Sequence, residues 1–355
     1  MRMARLTPLL LVAILLAGCG RGGVEGAPVS REPGSSTGRT FPAARTGEPA
    51  SGKPADRGNA AASAPASPAD RGNVAPAAGG TPPSTSPRPG ATSSPRPGAT
   101  FRPGESLELF DAHIHYSQDA WSQYSPEQAV AIMRAAGIRR ALVSSTPDTG
   151  TQRLYALAPD LVVPMLRPYR SRDDIGAWTR DPTVVAYVES TFRRGVHRGI
   201  GEFHIVSGDA ATPVIRALVA MAVREDLWLH AHADEHAISE LARSDRRAKV
   251  LWAHAGLSST PQAVRAVLDA HPNVTAELAL RGDVMWGQDI DPAWRELFLR
   301  YPDRFLVGTD TWTPSRWEDV VSGHQRTRAW LAQLPPEVAS RIASGNAERL
   351  FAVAR

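Results

Sequence analysis

The segment FDAHIHYS, residues 110–117, places Asp111, His113 and His115 at alternate positions of an otherwise apolar run. Residues two apart in an extended strand point to the same side, so this spacing predicts one face that carries the three polar groups. Imidazole and carboxylate groups together are ligands for a divalent cation. A His-x-His pair also occurs by chance, so the interpretation depends on whether other segments supply further ligands.

Four other apolar runs also end in residues that could bind a metal. They are RGIGEFHIV with Glu202 and His204, DLWLHAHAD with His230 and His232, AKVLWAHAG with His254, and RFLVGTDTW with Asp310. Six of the ten histidines lie at the ends of these runs or of the first one, which is improbable for unrelated core histidines. The pattern therefore predicts a shared metal site at one end of a set of strands.

The elements that must position these side chains alternate regularly from residue 105 to residue 355. Eight short apolar runs are separated by amphipathic segments, of which SPEQAVAIMRAAG (125–137) is the clearest helix. Ser125 can cap this helix, Pro126 suits its first turn and Gly137 can end it. Eight strand-helix units in about 250 residues predict an α/β fold, a (β/α)8 TIM barrel, whose functional residues lie at the carboxyl ends of the strands. A doubly wound open sheet is the alternative.

These motifs resemble the amidohydrolase superfamily. The shared features are an HxH on strand one, a histidine on each of strands five and six, and an aspartate on strand eight. The phrases DAHIH, LWAHAG, GTDTW and GNAERLF resemble the amidohydrolase-related (amidohydrolase 2) branch in particular. The resemblance covers essentially all of residues 105–355 and implies a barrel that uses one or two divalent cations, usually zinc, to activate water.

The resemblance also implies roles for individual residues. His113, His115 and Asp310 would hold the first metal, and His232 would be the ligand from strand five. His254 would bind a second metal or polarise the scissile carbonyl, and Asp310 would also move a proton from the attacking water to the leaving group.

Two features leave the number of metal ions open between one and two. Members with two ions often bridge them through a carboxylated lysine on strand four, but the two lysines of this chain, Lys53 and Lys249, are misplaced for that role. Glu202 is the carboxylate placed to substitute for it, and its alternative role is an ion pair with an arginine such as Arg198 or Arg281.

Two further assignments are predictions with named alternatives. On strand five, His230 and His232 have the same parity, and His232 is favoured because it lies nearer the end of the strand. Arg281, after strand seven, is the preferred residue for binding a substrate carboxylate, with Arg167 and Arg170 as alternatives.

The first 104 residues predict export and anchoring. Residues 1–18 have the basic start and short apolar run of a signal peptide, and LAGC at 16–19 resembles the lipobox of bacterial lipoproteins. Cys19 is the only cysteine and is the predicted lipidation site. Residues 19–104 are rich in Pro, Ala, Gly and Ser, and residues 20–104 contain 15 of the 30 prolines, which predicts a disordered tether. The expected location is the periplasmic side of the outer membrane.

The net charge of the predicted barrel bears on which classes of function remain. Residues 105–355 carry 28 basic and 31 acidic residues, hence a net charge of −3, which argues against a nucleic-acid-binding surface. The favoured function is a membrane-tethered, metal-dependent hydrolase of a small-molecule amide, ester or lactone-like bond. The alternatives are a metal-dependent decarboxylase with the same ligands and a non-catalytic, surface-displayed binding barrel.

Overall fold

The computed structural model describes residues 107–352, so the predicted signal peptide, tether and Cys19 lie outside the described residues. Within this range the strands and helices alternate as expected. The strands are β1 Leu109–His115, β2 Ile138–Ser144, β3 Val162–Leu166, β4 Gly199–His204, β5 Trp228–His232, β6 Lys249–Trp252, β7 Val274–Glu277, β8 Met285–Trp286, β9 Asp289–Ile290 and β10 Phe305–Leu306. The helices are α1 Pro126–Ala135, α2 Thr149–Leu157, α3 Thr183–Phe192, α4 Pro213–Arg224, α5 Glu235–Ser244, α6 Pro261–Ala270, α7 Pro292–Arg300, α8 Val320–Leu331, α9 Pro336–Ser340 and α10 Asn346–Leu350.

Eight of the strands form one parallel sheet in the order β1-β2-β3-β4-β5-β6-β7-β10. The sheet closes because the backbone N–H of Ala112 donates to the carbonyl of Val307 at 2.8 Å, and the N–H of Asp310 donates to the carbonyl of His113 at 2.7 Å. The fold is therefore a (β/α)8 TIM barrel, as predicted, and the open-sheet alternative is wrong. The short antiparallel pair β8–β9 is an addition between β7 and α7.

Helix starts follow the local chemistry of the sequence. Ser125 accepts a hydrogen bond from the N–H of Gln128 in a capping box, with Pro126 in the first turn of α1. Thr212 and Thr260 cap α4 and α6 by accepting the N–H of Ile215 and of Ala263, and each is followed by a proline. Because each of these caps defines where a helix begins, they also fix the lengths of the loops that leave the strand ends.

The barrel interior is apolar at its amino-terminal end. Phe110 and Ala112 pack there with residues of β2, β3, β5, β6 and β10. Phe351, which follows α10, stacks on Phe110 with ring centroids 6.0 Å apart and covers this end. Polar side chains in the interior are consequently concentrated toward the carboxyl ends of the strands.

The expectation that Asp111 shares a face with the two histidines of β1 is wrong. The β1–β2 register shifts between Asp111 and Ile114, so strict alternation of side chains is not expected along this part of the strand. Asp111 instead lies 2.8 Å from Nε2 of His324 on α8, and it accepts the N–H of His113 at 2.9 Å. It thereby fixes the backbone of the strand that carries His113 and His115.

Among residues 107–352, no helix has the length and apolar character needed to cross a membrane.

Candidate metal centre

Six side chains predicted as metal ligands lie together at the carboxyl ends of five strands. They are His113, His115, Glu202, His232, His254 and Asp310. All except His232 are buried, and the His232 side chain is 31% exposed. The structure brings the set together, and the role of each residue as a ligand remains a prediction.

One part of the centre surrounds the two histidines of β1. Their Nε2 atoms are 3.0 Å apart. Glu202 Oε2 lies 3.1 Å from Nε2 of His115 and 3.5 Å from Nε2 of His113. Asp310 Oδ1 lies 3.4 Å from Nε2 of His115 and 3.8 Å from Nε2 of His113. One ligand atom from each of His113, His115 and Glu202 lies within 4.8 Å of the others, and the same holds for His113, His254 and Asp310.

The other oxygen of Glu202 faces a second group of nitrogens. Glu202 Oε1 lies 3.1 Å from Nδ1 of His232 and 3.5 Å from Nε2 of His254. The carboxylate thus lies between two groups of nitrogen ligands, one on each oxygen. Because each oxygen of Glu202 faces a different group, the arrangement is compatible with one ion or with two.

Unsatisfied polar atoms indicate that this donor set fits a divalent cation. Asp310 Oδ1 is buried and has no hydrogen-bond partner among residues 107–352. Such an atom is costly unless a ligand satisfies it. Imidazole nitrogens with carboxylate oxygens are the donors that zinc binds in catalytic sites.

The backbone near the centre is held in conformations that only specific residues tolerate. Gly201 has φ of 135°, and a Cβ there would lie 2.2 Å from the carbonyl oxygen of His230. The β4–β5 register shifts at this point, which turns Glu202 into the centre. His254 and Asp310 both have φ of 55° despite carrying side chains, and such strain often occurs at functional sites.

Neighbouring groups contact the Nδ1 atoms of three histidines of the centre and so orient their rings. Glu277 is fully buried and lies 2.8 Å from Nδ1 of His113, and it accepts the backbone N–H of His254 at 2.6 Å. Ser144 Oγ lies 3.0 Å from Nδ1 of His115, and the carbonyl of Ala279 lies 3.0 Å from Nδ1 of His254. Contacts of this kind fix which nitrogen faces a metal. Sequence reasoning missed Glu277, although its place at the end of the seventh apolar run is a usable signal.

Protonation in the centre follows from burial and from the carboxylates. Burial disfavours the charged form of His113, but Glu277, Glu202 and Asp310 outweigh it and raise the pKa of His113 well above its usual value. Burial and the charge of Arg167 lower the pKa of His115. Although burial opposes ionisation of Glu202, the neighbouring histidines, led by His113, hold its pKa well below the usual range. Within the centre, the carboxylates therefore favour the charged form of His113, while burial and Arg167 disfavour that of His115.

The two histidines of β5 occupy different environments. His232 lies beside Glu202, whereas His230 lies deeper, with its ring centroid 4.6 Å from that of His113. His230 Nε2 is buried and unpartnered within the described range, and its nearest carboxylate is Glu277 Oε1 at 4.0 Å. Each histidine lies in a different group that could hold a metal, His230 with His113 and Glu277 and His232 with Glu202 and His204, so the preference for His232 stays a prediction.

The prediction that Arg281 binds substrate is not supported by its surroundings. Its guanidinium donates to Asp283 through Nε at 2.8 Å and Nη2 at 2.6 Å. The remaining donors reach the carbonyls of His254, Ala255 and Ser259. All five N–H groups of the side chain donate to acceptors of the protein itself. The hydrogen bonds of Arg281 therefore stabilise the backbone of the segment after β6.

Two other arginines contact the centre. Arg167 is fully buried, donates through Nε to the carbonyl of Glu202 at 2.9 Å and has an Nη1 without a partner in residues 107–352. Its guanidinium carbon lies 4.7 Å from the ring centroid of Tyr169 and 4.6 Å from that of Trp312. Arg316, which sequence reasoning missed, donates through Nη1 to Asp310 Oδ2 at 2.7 Å.

The chain is similar in structure to several solved proteins. An uncharacterized TIM-barrel protein from Bordetella bronchiseptica is 16% identical, with a TM-score of 0.49, and the match covers 69% of this chain and 99% of that chain. A putative 2-pyrone-4,6-dicarboxylic acid hydrolase from Pseudomonas putida is 15% identical, with a TM-score of 0.47 and coverage of 69% and 97%. An amidohydrolase 2 protein from Bifidobacterium longum subsp. infantis is 16% identical, with a TM-score of 0.45 and coverage of 70% and 100%.

A search of curated proteins gives no match. The sequence model of the Amidohydro_2 family, described as amidohydrolase, matches residues 152–353, which is more than half of the 355-residue chain. The matched region contains Glu202, His232, His254 and Asp310. The chain belongs to the amidohydrolase family.

Proposed function

We propose that this protein is a metal-dependent hydrolase that activates water for attack on an amide, ester or lactone-like bond of a small molecule. The observation that carries the proposal is the position of Glu202 between two groups of histidine nitrogens, with Asp310 beside one of them. Hydrolysis requires a water that is held and deprotonated next to the scissile bond. Zinc is the proposed cation because the donors are imidazoles and carboxylates.

The first ion would be held by His113, His115, Asp310 and one oxygen of Glu202. A bound divalent cation would supply Lewis acidity and lower the pKa of a water molecule toward about 7. Asp310 would accept the proton of that water and deliver it to the leaving group, since its Oδ1 faces the two histidines. Arg316 would hold the other oxygen of Asp310 and so fix the direction of Oδ1.

His254 lies where it can bind a second ion or polarise a substrate carbonyl. Its Nδ1 faces the carbonyl of Ala279, so the tautomer with the proton on Nδ1 leaves Nε2 free toward the centre. For an anionic group of the substrate, Arg167 replaces Arg281 as the candidate, because its buried Nη1 lacks a partner in the described chain. Arg167 also lies against Trp312, which is next to His115.

A decarboxylase of the same family is the second candidate, since it would share every ligand. The placement of Glu202 between two nitrogen groups favours hydrolysis, because a two-metal site can stabilise both the attacking and the leaving oxygen. A decarboxylation has no attacking water to stabilise. The non-catalytic binding barrel would require none of these buried ionisable groups.

Anchoring at the cell envelope is part of the proposal. It rests on the basic start, the apolar run and the LAGC ending of residues 1–19, followed by the proline-rich residues 20–104. The lipid on Cys19 would retain the barrel at the periplasmic side of the outer membrane, with small molecules as substrates and no nucleic-acid partner.

The test is a substrate screen with purified, zinc-loaded full-length protein. The compounds are lactones, esters, amides and aromatic carboxylates, in water labelled with oxygen-18. Incorporation of labelled oxygen into the organic product together with bond cleavage supports hydrolysis. Release of carbon dioxide without labelled oxygen in the organic product supports the decarboxylase. Metal binding without turnover of any compound class supports the binding barrel and contradicts the proposal.

A further inference from the structure

His204 belongs to the histidines at the strand ends, but the sequence resemblance assigns it no individual role as a ligand. It is the last residue of β4, two positions after Glu202, and strand geometry places residues two apart on the same side. One ligand atom from each of Glu202, His204 and His232 lies within 4.8 Å of the others. This group is distinct from the one formed by His113, His115 and Glu202.

The His204 ring is positioned by contacts behind it. Its Nδ1 lies 3.2 Å from the hydroxyl of Tyr169, and its backbone N–H donates to the same hydroxyl at 2.7 Å. The carbonyl of His204 accepts the indole N–H of Trp178 at 3.0 Å. When Nδ1–H donates to Tyr169, the lone pair lies on Nε2, as in histidines that bind metals. Tyr169 is fully buried, so the anchor itself is rigid.

The His204 ring also lies against a second predicted ligand. The ring stacks on that of His232 with centroids 4.5 Å apart and an angle of 27° between planes. A stack of this kind offers no hydrogen bond between the rings, and the polar partners are Glu202 for Nδ1 of His232 and Tyr169 for Nδ1 of His204.

We propose that His204 is a ligand of a second metal ion, together with Glu202 Oε1 and His232. This inference rests on the proposed function, since it assumes that the first position holds a metal. Two nitrogens and one oxygen leave a fourth tetrahedral position for water, which is the ligand number of catalytic zinc sites. Glu202 then bridges the two ions with one oxygen each, and His254 faces the carbonyl of the substrate.

The first experiment measures zinc binding to full-length protein that has been stripped with a chelator. The variant is His204→Asn, whose amide can keep the hydrogen bond to Tyr169 while removing Nε2. We expect two zinc ions per chain in the wild type. In the variant we expect one ion with unchanged affinity and a second bound at least about tenfold more weakly. His236→Asn, at an exposed histidine of α5, is the matched control and should bind like the wild type.

A second readout uses cobalt in place of zinc, because its visible absorption reports ligand geometry. His204→Asn should change the spectrum of the second equivalent only. Should this variant melt at a lower temperature than the wild type, Tyr169→Phe supplies the same test. It leaves His204 in place but removes the hydroxyl that orients the ring, and we expect about tenfold weaker binding of the second ion.

The outcomes separate this inference from the proposed function. Two ions of unchanged affinity in His204→Asn, or in Tyr169→Phe where it replaces that variant, would overturn the role of His204 and leave the metal-dependent hydrolase intact. A wild-type protein that binds one ion would likewise overturn the role of His204 and leave the metal-dependent hydrolase intact. A wild type that binds none would overturn both.

Discussion

Asp310 combines a strained backbone with a buried oxygen that no residue in 107–352 satisfies. If it moves a proton, an amide of nearly the same shape cannot replace it. We therefore expect Asp310→Asn to lower turnover at least about a hundredfold on any substrate found. Folding should be retained because the replacement is nearly isosteric.

Asp319→Asn, at an exposed aspartate of the segment that follows, is the matched control and should keep normal turnover. Melting curves and rates should be measured on the same metal-loaded samples. Normal turnover in a folded, loaded Asp310→Asn protein would remove Asp310 from the mechanism.

Glu277 acts on the centre through its neighbours. Its carboxylate lies beside Nδ1 of His113 and accepts the backbone N–H of His254, which orients both residues. Although burial opposes its ionisation, His113 and His254 lower the pKa of Glu277 to about 2. Glu277→Gln should weaken metal binding about 10- to 100-fold, because the ligand histidines lose their orientation. Calorimetric titration measures this change, with Glu296→Gln on the exposed side of α7 as control. Equal affinities in the two variants would show that Glu277 does not orient the ligands.

The histidines at the strand ends were predictable because each follows an apolar run whose direction fixes where it ends. Glu277 ends β7, a position that is a usable signal, but a single acidic residue has no motif around it. Arg316 was missed because it lies in the loop beyond Asp310, outside any apolar run. The substrate-binding role of Arg281 stays a prediction; its sequence position says nothing about the carbonyls of the segment after β6, which take up its donors.

The segment after β6 is the element that presents His254. His254, Ala255 and Leu257 all have positive φ although none is glycine, so the segment needs external support. Arg281 provides it by donating to three carbonyls of residues 254–259. The side chain packs over Trp294 at 4.6 Å, which joins this loop to α7.

Arg281→Met should therefore destabilise the protein by about 2 kcal/mol or more, since several buried carbonyls lose their donors. Urea unfolding measures this loss, and Arg295→Met, at an exposed arginine of α7, should change it by less than about 0.5 kcal/mol. If Arg281→Met keeps full stability but raises KM for an anionic substrate, Arg281 is a substrate ligand after all.

Sequence periodicity predicted each barrel strand but not the relations between strands. All eight apolar runs form strands, yet the register shifts in β1 and β4 have no marker in the alternation of residue types. Only the glycine at position 201 indicates one of them. Closure of the barrel depends on hydrogen bonds between β1 and the residues that follow β10, which are contacts between the two ends of the domain.

At the scale of the whole molecule, the charges of the barrel and of the preceding residues have opposite signs. Residues 19–104 carry ten basic and five acidic residues, hence a net charge of +5, against −3 for residues 105–355. This division favours a basic segment near anionic lipid and a barrel that faces small molecules.

Anchoring predicts that Cys19→Ser abolishes incorporation of labelled fatty acid and releases the protein from the membrane fraction. Turnover of the catalytic domain should be unchanged, because the substitution lies far from the centre in sequence. The control is Ser63→Ala in the same segment, which should remain lipidated. Equal labelling of the Cys19→Ser protein would show that Cys19 is not the lipid site.

The most direct test of metal-dependent hydrolysis is reconstitution. Once the screen has identified a substrate, the full-length protein is stripped with a chelator, and turnover is followed as zinc is added back while bound metal is counted. We expect turnover to disappear on stripping and to return in proportion to the zinc that binds. Undiminished turnover by the stripped protein would contradict the central role of the centre formed by His113, His115 and Asp310.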